Sequence, residues 1–271
     1  MPAKINCGIT GYKGVLGSEF IKIAPFKFIK FKGDITNKGL VDKWIKSNKF
    51  DLIIHFAAIV PINKVNSNYK KALNVNFNGT KNLVDSIVKN KINLNWFFFS
   101  STSHVYSFSK KSISEMALPK PSSRYGYTKL KAENYLKRIL GQNNFKYCIG
   151  RIFSFTNNKQ SLEFLVPSIK NKISKINKVI ELKNLNHYRD FLSVKDISKA
   201  IYFLWNKKFC GIINIASGKK VYLKNIAKLL NKKNKKLIFI DSNKKTNLIA
   251  NISKIKRIGW KPYDTISRIL R

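Results

Sequence analysis

Two runs of consecutive apolar residues, Leu52-Ile53-Ile54 and Trp96-Phe97-Phe98-Phe99, restrict the fold more than any other feature of the chain. A strand with one wet face alternates apolar and polar side chains. An unbroken run needs both faces covered, as in a parallel sheet between two layers of helices. The flanking pattern agrees: strands are predicted over residues 5–10, 26–31, 51–56, 95–100 and 145–152, and helices over 15–23, 39–47, 69–89 and 125–140. Alternating β and α units joined by right-handed crossovers give an α/β fold with a doubly wound parallel sheet. Beyond residue 153 the pattern loosens to helices near 163–175, 194–205 and 223–230, which predicts a smaller C-terminal lobe.

Composition excludes several alternatives. With 44% hydrophobic and 13% aromatic residues the chain is too apolar to stay disordered. No apolar run approaches the roughly 18 residues that span a bilayer, and the strand-like start leaves no room for a signal peptide. Cys7, Cys148 and Cys210 lack metal-like spacing and read as buried small residues in a reducing compartment. A cytoplasmic protein with no membrane partner is expected. No His/Cys/Asp cluster predicts a metal site. The 53 Lys and Arg against 13 Asp and Glu give a net charge of +40, which attracts polyanions. The lysines are spread along the whole chain rather than gathered into a tail or stripe. The expectation is a diffuse solvated surface, helpful toward an anionic substrate, with no nucleic-acid partner. AT-rich coding accounts for the lysines but not for the scarcity of acids.

Gly11-Tyr12-Lys13-Gly14-Val15-Leu16-Gly17 follows the first strand and opens the first helix. Glycines there allow a tight turn and a close approach of backbone to a pyrophosphate, which sits on the unpaired N–H groups of the helix start. Four further segments follow in chain order: Leu52-Ile53-Ile54-His55-Phe56-Ala57-Ala58, Asn76-Phe77-Asn78-Gly79-Thr80, Ser100-Ser101-Thr102-Ser103-His104-Val105-Tyr106, and Tyr125-Gly126-Tyr127-Thr128-Lys129. With Arg189-Asp190-Phe191 they resemble the extended short-chain dehydrogenases/reductases, the NAD(P)-dependent nucleotide-sugar epimerases, dehydratases and reductases. The resemblance implies a Rossmann-like NAD(P)-binding domain over 1–153 and a mainly nucleotide-sugar-binding lobe over 154–271, with about 194–216 returning to the first domain. It implies cofactor contacts from Gly11, Tyr12, Lys13, Gly14, Val15, Leu16, Asp34, Ile35, Phe56, Ala57, Ala58, Asn76, Ser100, Tyr125 and Lys129. Substrate contacts are implied at Ser101, Thr102, Ser154, Val166 and Arg189. It also implies a homodimer pairing helices 69–89 and 125–140.

The chemistry explains the residue types. Oxidising a sugar hydroxyl needs a base for its proton while hydride leaves for nicotinamide, but a phenol ionises only near pH 10. Tyr125 and Lys129 are four apart, on one helix face, so the ammonium is expected to favour the phenolate. Thr102 would orient the same substrate oxygen. Strand 26–31 carries Lys27 and Lys30, with Lys32 beyond it and no acid to hold a ribose 2′-hydroxyl. The cofactor is NADP or NAD, leaning to NADP. Arg189 can grip a diphosphate bidentately. Where the family's dehydratases carry Asp-Glu, this chain has Ser103 and His104, which disfavours 4,6-dehydration. Redox chemistry at C4 of a nucleotide-diphosphate sugar is expected, by a 4-epimerase or a 4-keto-sugar reductase. A non-catalytic RNA-binding protein on a degenerate dehydrogenase fold is the alternative from another class. His55 is expected to pack at a strand end, His187 stands apart, and His104 lies close to Thr102.

Overall fold

In the computed structural model, which describes residues 5–175, 179–264 and 266–270, strands and helices alternate from the first strand onward. The first half runs β1 (Asn6–Thr10), α1 (Val15–Ile23), β2 (Lys27–Lys30), α2 (Lys38–Lys46), β3 (Leu52–His55), α3 (Ile62–Ser67), α4 (Tyr69–Leu73), α5 (Gly79–Lys89), β4 (Trp96–Thr102), α6 (Arg124–Gln142) and β5 (Tyr147–Ile152). The second half continues with β6 (Ser154–Thr156), α7 (Leu165–Lys175), β7 (Val179–Lys183), β8 (His187–Arg189), β9 (Phe191–Ser193), α8 (Val194–Asn206), β10 (Gly211–Ile215), β11 (Val221–Tyr222), α9 (Leu223–Leu230), β12 (Lys236–Ile240) and β13 (Thr246–Leu248). Six strands form one parallel Rossmann-like sheet in the order β10-β5-β4-β3-β1-β2.

The apolar runs serve both faces, as their composition requires. Ile9, Ile54, Phe98 and Cys148 pack with Phe20, Ile197, Ile201 and Trp205 on the side of α1 and α8. Ile53, Phe97, Phe99 and Ile149 pack with Val41, Ile45, Leu83, Ile87 and Leu136 on the side of α2, α5 and α6. Strand order reverses around β1, and the crevice beyond the carboxyl ends of β1 and β3 is where such sheets bind ligands. The remaining described strands form three small sheets, β11-β8-β13, β12-β7 and β6-β9. Among the described residues no helix is long and apolar enough to cross a membrane.

Two expectations need correction. The helix predicted over 69–89 is interrupted: α4 and α5 are joined through a π-turn over Asn74–Asn78. The Asn76 side chain reaches out of that turn to both backbone groups of Ile59 and to the Thr128 hydroxyl. Such inserted turns are commonest at functional sites. Cys7 and Cys148 are buried, but Cys210 is exposed, because it lies in the turn leading into β10, just after the positive-φ residue Lys208.

The scarce acids are mostly spent on the frame. Asp51 accepts from the Asn6 amide, Glu115 from Asn214 and Asp196 from Tyr263 and Asp264. Asp190 accepts from the amides of Ser217, Gly218 and Ala250. Buried donors need such partners.

Candidate active site

The glycine turn is shaped for close approach. Gly11 has φ +68°, and a Cβ there would lie 2.6 Å from the Ala57 amide nitrogen. A Cβ on Gly17 would lie 2.4 Å from the Gly11 carbonyl oxygen. α1 then starts at Val15, after Gly14 at the cap position, with no side-chain cap and no acidic residue in its first turn, so its unpaired N–H groups and positive dipole end are free for an anion. Above the turn opens a cleft of about 290 Å³, lined by Gly11, Tyr12, Lys13, Gly14, Phe31, Lys32, Gly33, Asp34, Ile35 and Ala57. These are the features a dinucleotide requires. Lys13 and Lys32 bring cations to the rim. Asp34 accepts from the Thr36 amide and hydroxyl, which hold its carboxyl below the usual range.

His55 is buried as expected, between the hydroxyls of Thr10 at 2.6 Å and Thr80 at 2.9 Å. Burial, helped by the charge of Lys129, pushes its pKa down to about 3. It acts as a neutral spacer: Thr10 in turn accepts from the Ala57 amide at the cleft wall. Phe56 packs its ring on Phe20 and Phe98, so only its backbone can border the cleft. Ala58 follows it in the same segment, and Ser100 lies partly buried on β4.

Thr102 ends β4, and Tyr125 and Lys129 lie one turn apart on α6. α6 begins where Ser123 accepts the Gly126 amide, a helix-capping bond. The Tyr125 ring is packed with Val65 and Ala72. Burial pushes its phenol well above the ordinary value, against which hydrogen bonding with Thr102 works. The acidification expected from Lys129 does not register: burial raises the phenol and the opposing influence is the hydrogen bond with Thr102. Lys129 is 1% exposed, with its ammonium 4.1 Å above the Phe99 ring centroid. Burial brings its pKa down to about 7, and only the charge of Glu133 supports the ammonium.

Lys129 therefore carries a pH signature. Between its folded value of about 7 and the unfolded 10.5 the unfolded chain binds more protons, so the stability tied to this group rises with pH through that window and is lost as pH falls toward 7. Lys129→Met is expected to raise the thermal midpoint by several degrees near pH 7, to change it much less near pH 10, and to abolish turnover. Melting curves at the two pH values check this.

Below the trio lies a buried polar chain. Glu133, one further turn along α6 and 0% exposed, accepts from Ser101 Oγ and from Arg151 Nε and Nη2. Arg151 Nη1 donates to the Tyr106 hydroxyl, which donates to Asn214 Oδ1. Ser101, expected to touch substrate, gives its hydroxyl proton to this chain. Glu133 escaped the sequence reading, although its i+4 and i+8 spacing from Lys129 and Tyr125 puts an acid on the buried face of α6, which was a usable signal.

The loop after Thr102 is clamped to α6. The His104 carbonyl accepts the Ser122 amide, the His104 amide donates to Thr102 Oγ1 at 3.2 Å, and a Cβ on Gly126 would lie 1.9 Å from the His104 carbonyl oxygen. Gly126→Ala is expected to cost about 2 kcal/mol or more and at least tenfold in turnover, measured by denaturant titration and initial rates. The residues expected to meet substrate in the second half sit on three elements. Ser154 lies on β6, Val166 is buried on α7, and Arg189 lies on β8. Arg189 Nη1 donates to the carbonyls of Tyr188 and Thr246, its guanidinium stacks 5.3 Å from the Phe108 ring centroid, and it has no carboxylate partner among the described residues. Burial draws its pKa down to about 10. Arg189 is thus a half-buried cation whose charge no carboxylate among the described residues offsets.

The model of the NAD dependent epimerase/dehydratase family matches residues 16–216. The chain belongs to that family. A family relative, the GDP-6-deoxy-D-talose 4-dehydrogenase of Aggregatibacter actinomycetemcomitans, is 31% identical over 222 residues, covering 78% of this chain and 74% of the relative. RMD from Pseudomonas aeruginosa, solved with NADPH, superposes with a TM-score of 0.91 at 20% identity, covering 99% of this chain and 97% of that one. The UDP-glucose 4-epimerase of Thermus thermophilus, solved with NAD, gives 0.86 at 17% identity, covering 98% and 97%. Family membership makes a nicotinamide dinucleotide the cofactor that the uncapped α1 start and its cleft fit.

Proposed function

We propose that the chain is an NADP(H)-dependent 4-ketoreductase, or in reverse a 4-dehydrogenase, of a nucleotide-diphosphate sugar, working through Thr102, Tyr125 and Lys129. The observation that carries this reading is the grouping of that trio at the end of β4 and the start of α6. Bound nicotinamide supplies the hydride. Tyr125, held protonated by burial, is in the state needed to give its proton to the C4 carbonyl oxygen as the hydride arrives. Thr102 orients the carbonyl, and Lys129, with a pKa of about 7, holds or yields a proton at neutral pH and can restore the phenol. Arg189 holds the diphosphate. Lys13 and Lys32 at the cleft rim, with Lys30 5.7 Å from the Tyr12 ring centroid, favour a 2′-phosphate. The 4-dehydrogenase relative and the NADPH in RMD support the same choices.

The test is a panel of UDP-, GDP-, dTDP- and CDP-linked 4-keto sugars with NADPH or NADH, read by loss of reduced-nicotinamide absorbance. We expect consumption of NADPH with one nucleotide class, at a kcat/KM at least tenfold above that with NADH. Interconversion of C4 epimers without net consumption of cofactor would make the chain an epimerase, and no turnover on any sugar would remove the enzymatic reading.

A further inference from the structure

His104 stands between the reactive phenol and the anion-binding arginine. Its ring lies edge-on to Tyr125, 6.0 Å between centroids, and it feels the charge of Arg189, which together with burial holds its pKa near 4. It is therefore a neutral imidazole at physiological pH, with one donor and one acceptor nitrogen. The surroundings of Nδ1 bear on the tautomer. Ser123 Oγ accepts the Gly126 amide as the cap of α6 and lies 3.3 Å from His104 Nδ1, to which its own proton can be given. A hydroxyl donating to Nδ1 leaves the ring proton on Nε2. That nitrogen has no hydrogen-bond partner among the described residues, nor is it one of the sealed, unpartnered polar atoms. The backbone clamp on the loop uses the amide and carbonyl of residue 104 and not the imidazole, so the side chain is free of that duty.

We propose that His104 contacts the substrate, its Nε2–H donating a hydrogen bond to a neutral oxygen, hydroxyl or carbonyl, on the sugar ring between the redox carbon and the diphosphate. This assignment rests on the nucleotide-sugar reading above. It makes His104 a specificity-determining residue: a fixed donor with no alternative partner rejects a sugar lacking the matching oxygen. As a neutral group it selects sugar oxygens, leaving the charged phosphates to Arg189.

The test has two arms. With only three histidines in the chain, 15N-histidine labelling resolves each ring. His104 is expected as a neutral Nε2–H tautomer from about pH 5.5 to 8, with its Nε2 signal moving on addition of the nucleotide sugar that is turned over; an Nδ1–H tautomer would overturn the assignment. In the second arm, His104→Leu is expected to lose about 10- to 100-fold in kcat/KM with cofactor affinity unchanged, and His104→Gln, which restores a donor, to recover much of it. Among substrate analogues each lacking one oxygen, one is expected to be turned over by the native chain about as slowly as the intact sugar is by the leucine variant, and to suffer no further loss in that variant. A leucine variant as fast as the native chain, or equal added losses on every analogue, rejects the contact while leaving the reductase intact. A native chain inert on all nucleotide sugars rejects both.

Discussion

Tyr125→Phe is expected to lower kcat by about 10³-fold while leaving NADP(H) affinity unchanged. The ring that packs with Val65 and Ala72 stays in place, and only the proton-carrying oxygen goes. The phenol is neutral near pH 7 in the folded and the unfolded chain, so its removal costs only the hydrogen bond with Thr102, and the melting temperature should fall by at most about 4 °C. Turnover in parallel with cofactor titration separates the two effects. A phenylalanine variant within tenfold of the native rate would mean that another group supplies the proton, and the account of the trio would fall.

Glu133→Gln carries the largest expected loss of stability. The Arg151 guanidinium, 1% exposed, would lose its only carboxylate partner among the described residues, and an ion left alone in such a place costs about 3–5 kcal/mol. For a chain of this size that lowers the melting temperature by about 10 °C. Replacing both partners, Glu133→Gln with Arg151→Met, should recover a large part of the loss, because it removes the stranded charge. Thermal melts of the single and double variants test this. A double variant no more stable than the single would show that the value of Glu133 lies in its bond to Ser101 rather than in its pairing with Arg151. Activity gives a second reading. With Glu133 neutral, nothing offsets the burial of Lys129, and its ammonium is lost at lower pH.

The large sheet was legible because its strands are written in runs that tolerate no other placement: Leu52-Ile53-Ile54 and Trp96-Phe97-Phe98-Phe99 distribute alternate residues to two separate cores. The second half was not. β8 and β9 have three residues each and β11 has two, too short for periodicity to register, and the buried-exposed alternation of Val179–Lys183 is hidden among lysines. Tyr125, Lys129 and Thr102 could be singled out because the family motifs they resemble are local, a helix face and a strand end. The Glu133–Arg151–Tyr106–Asn214 chain was missed because it joins α6, β5, the loop after β4 and β10, separations that local spacing does not encode. The π-turn at Asn74–Asn78 was missed for the same reason: the bonds that reward it lie at Ile59 and Thr128.

The commitment of carboxylates to the frame limits how far this composition can drift. A lysine added on open surface disturbs little, but losing Asp51, Glu115, Asp190 or Asp196 would strand amides at joints between distant parts of the chain. An engineer who wishes to make the molecule less basic should therefore subtract lysines and leave these four acids where they are.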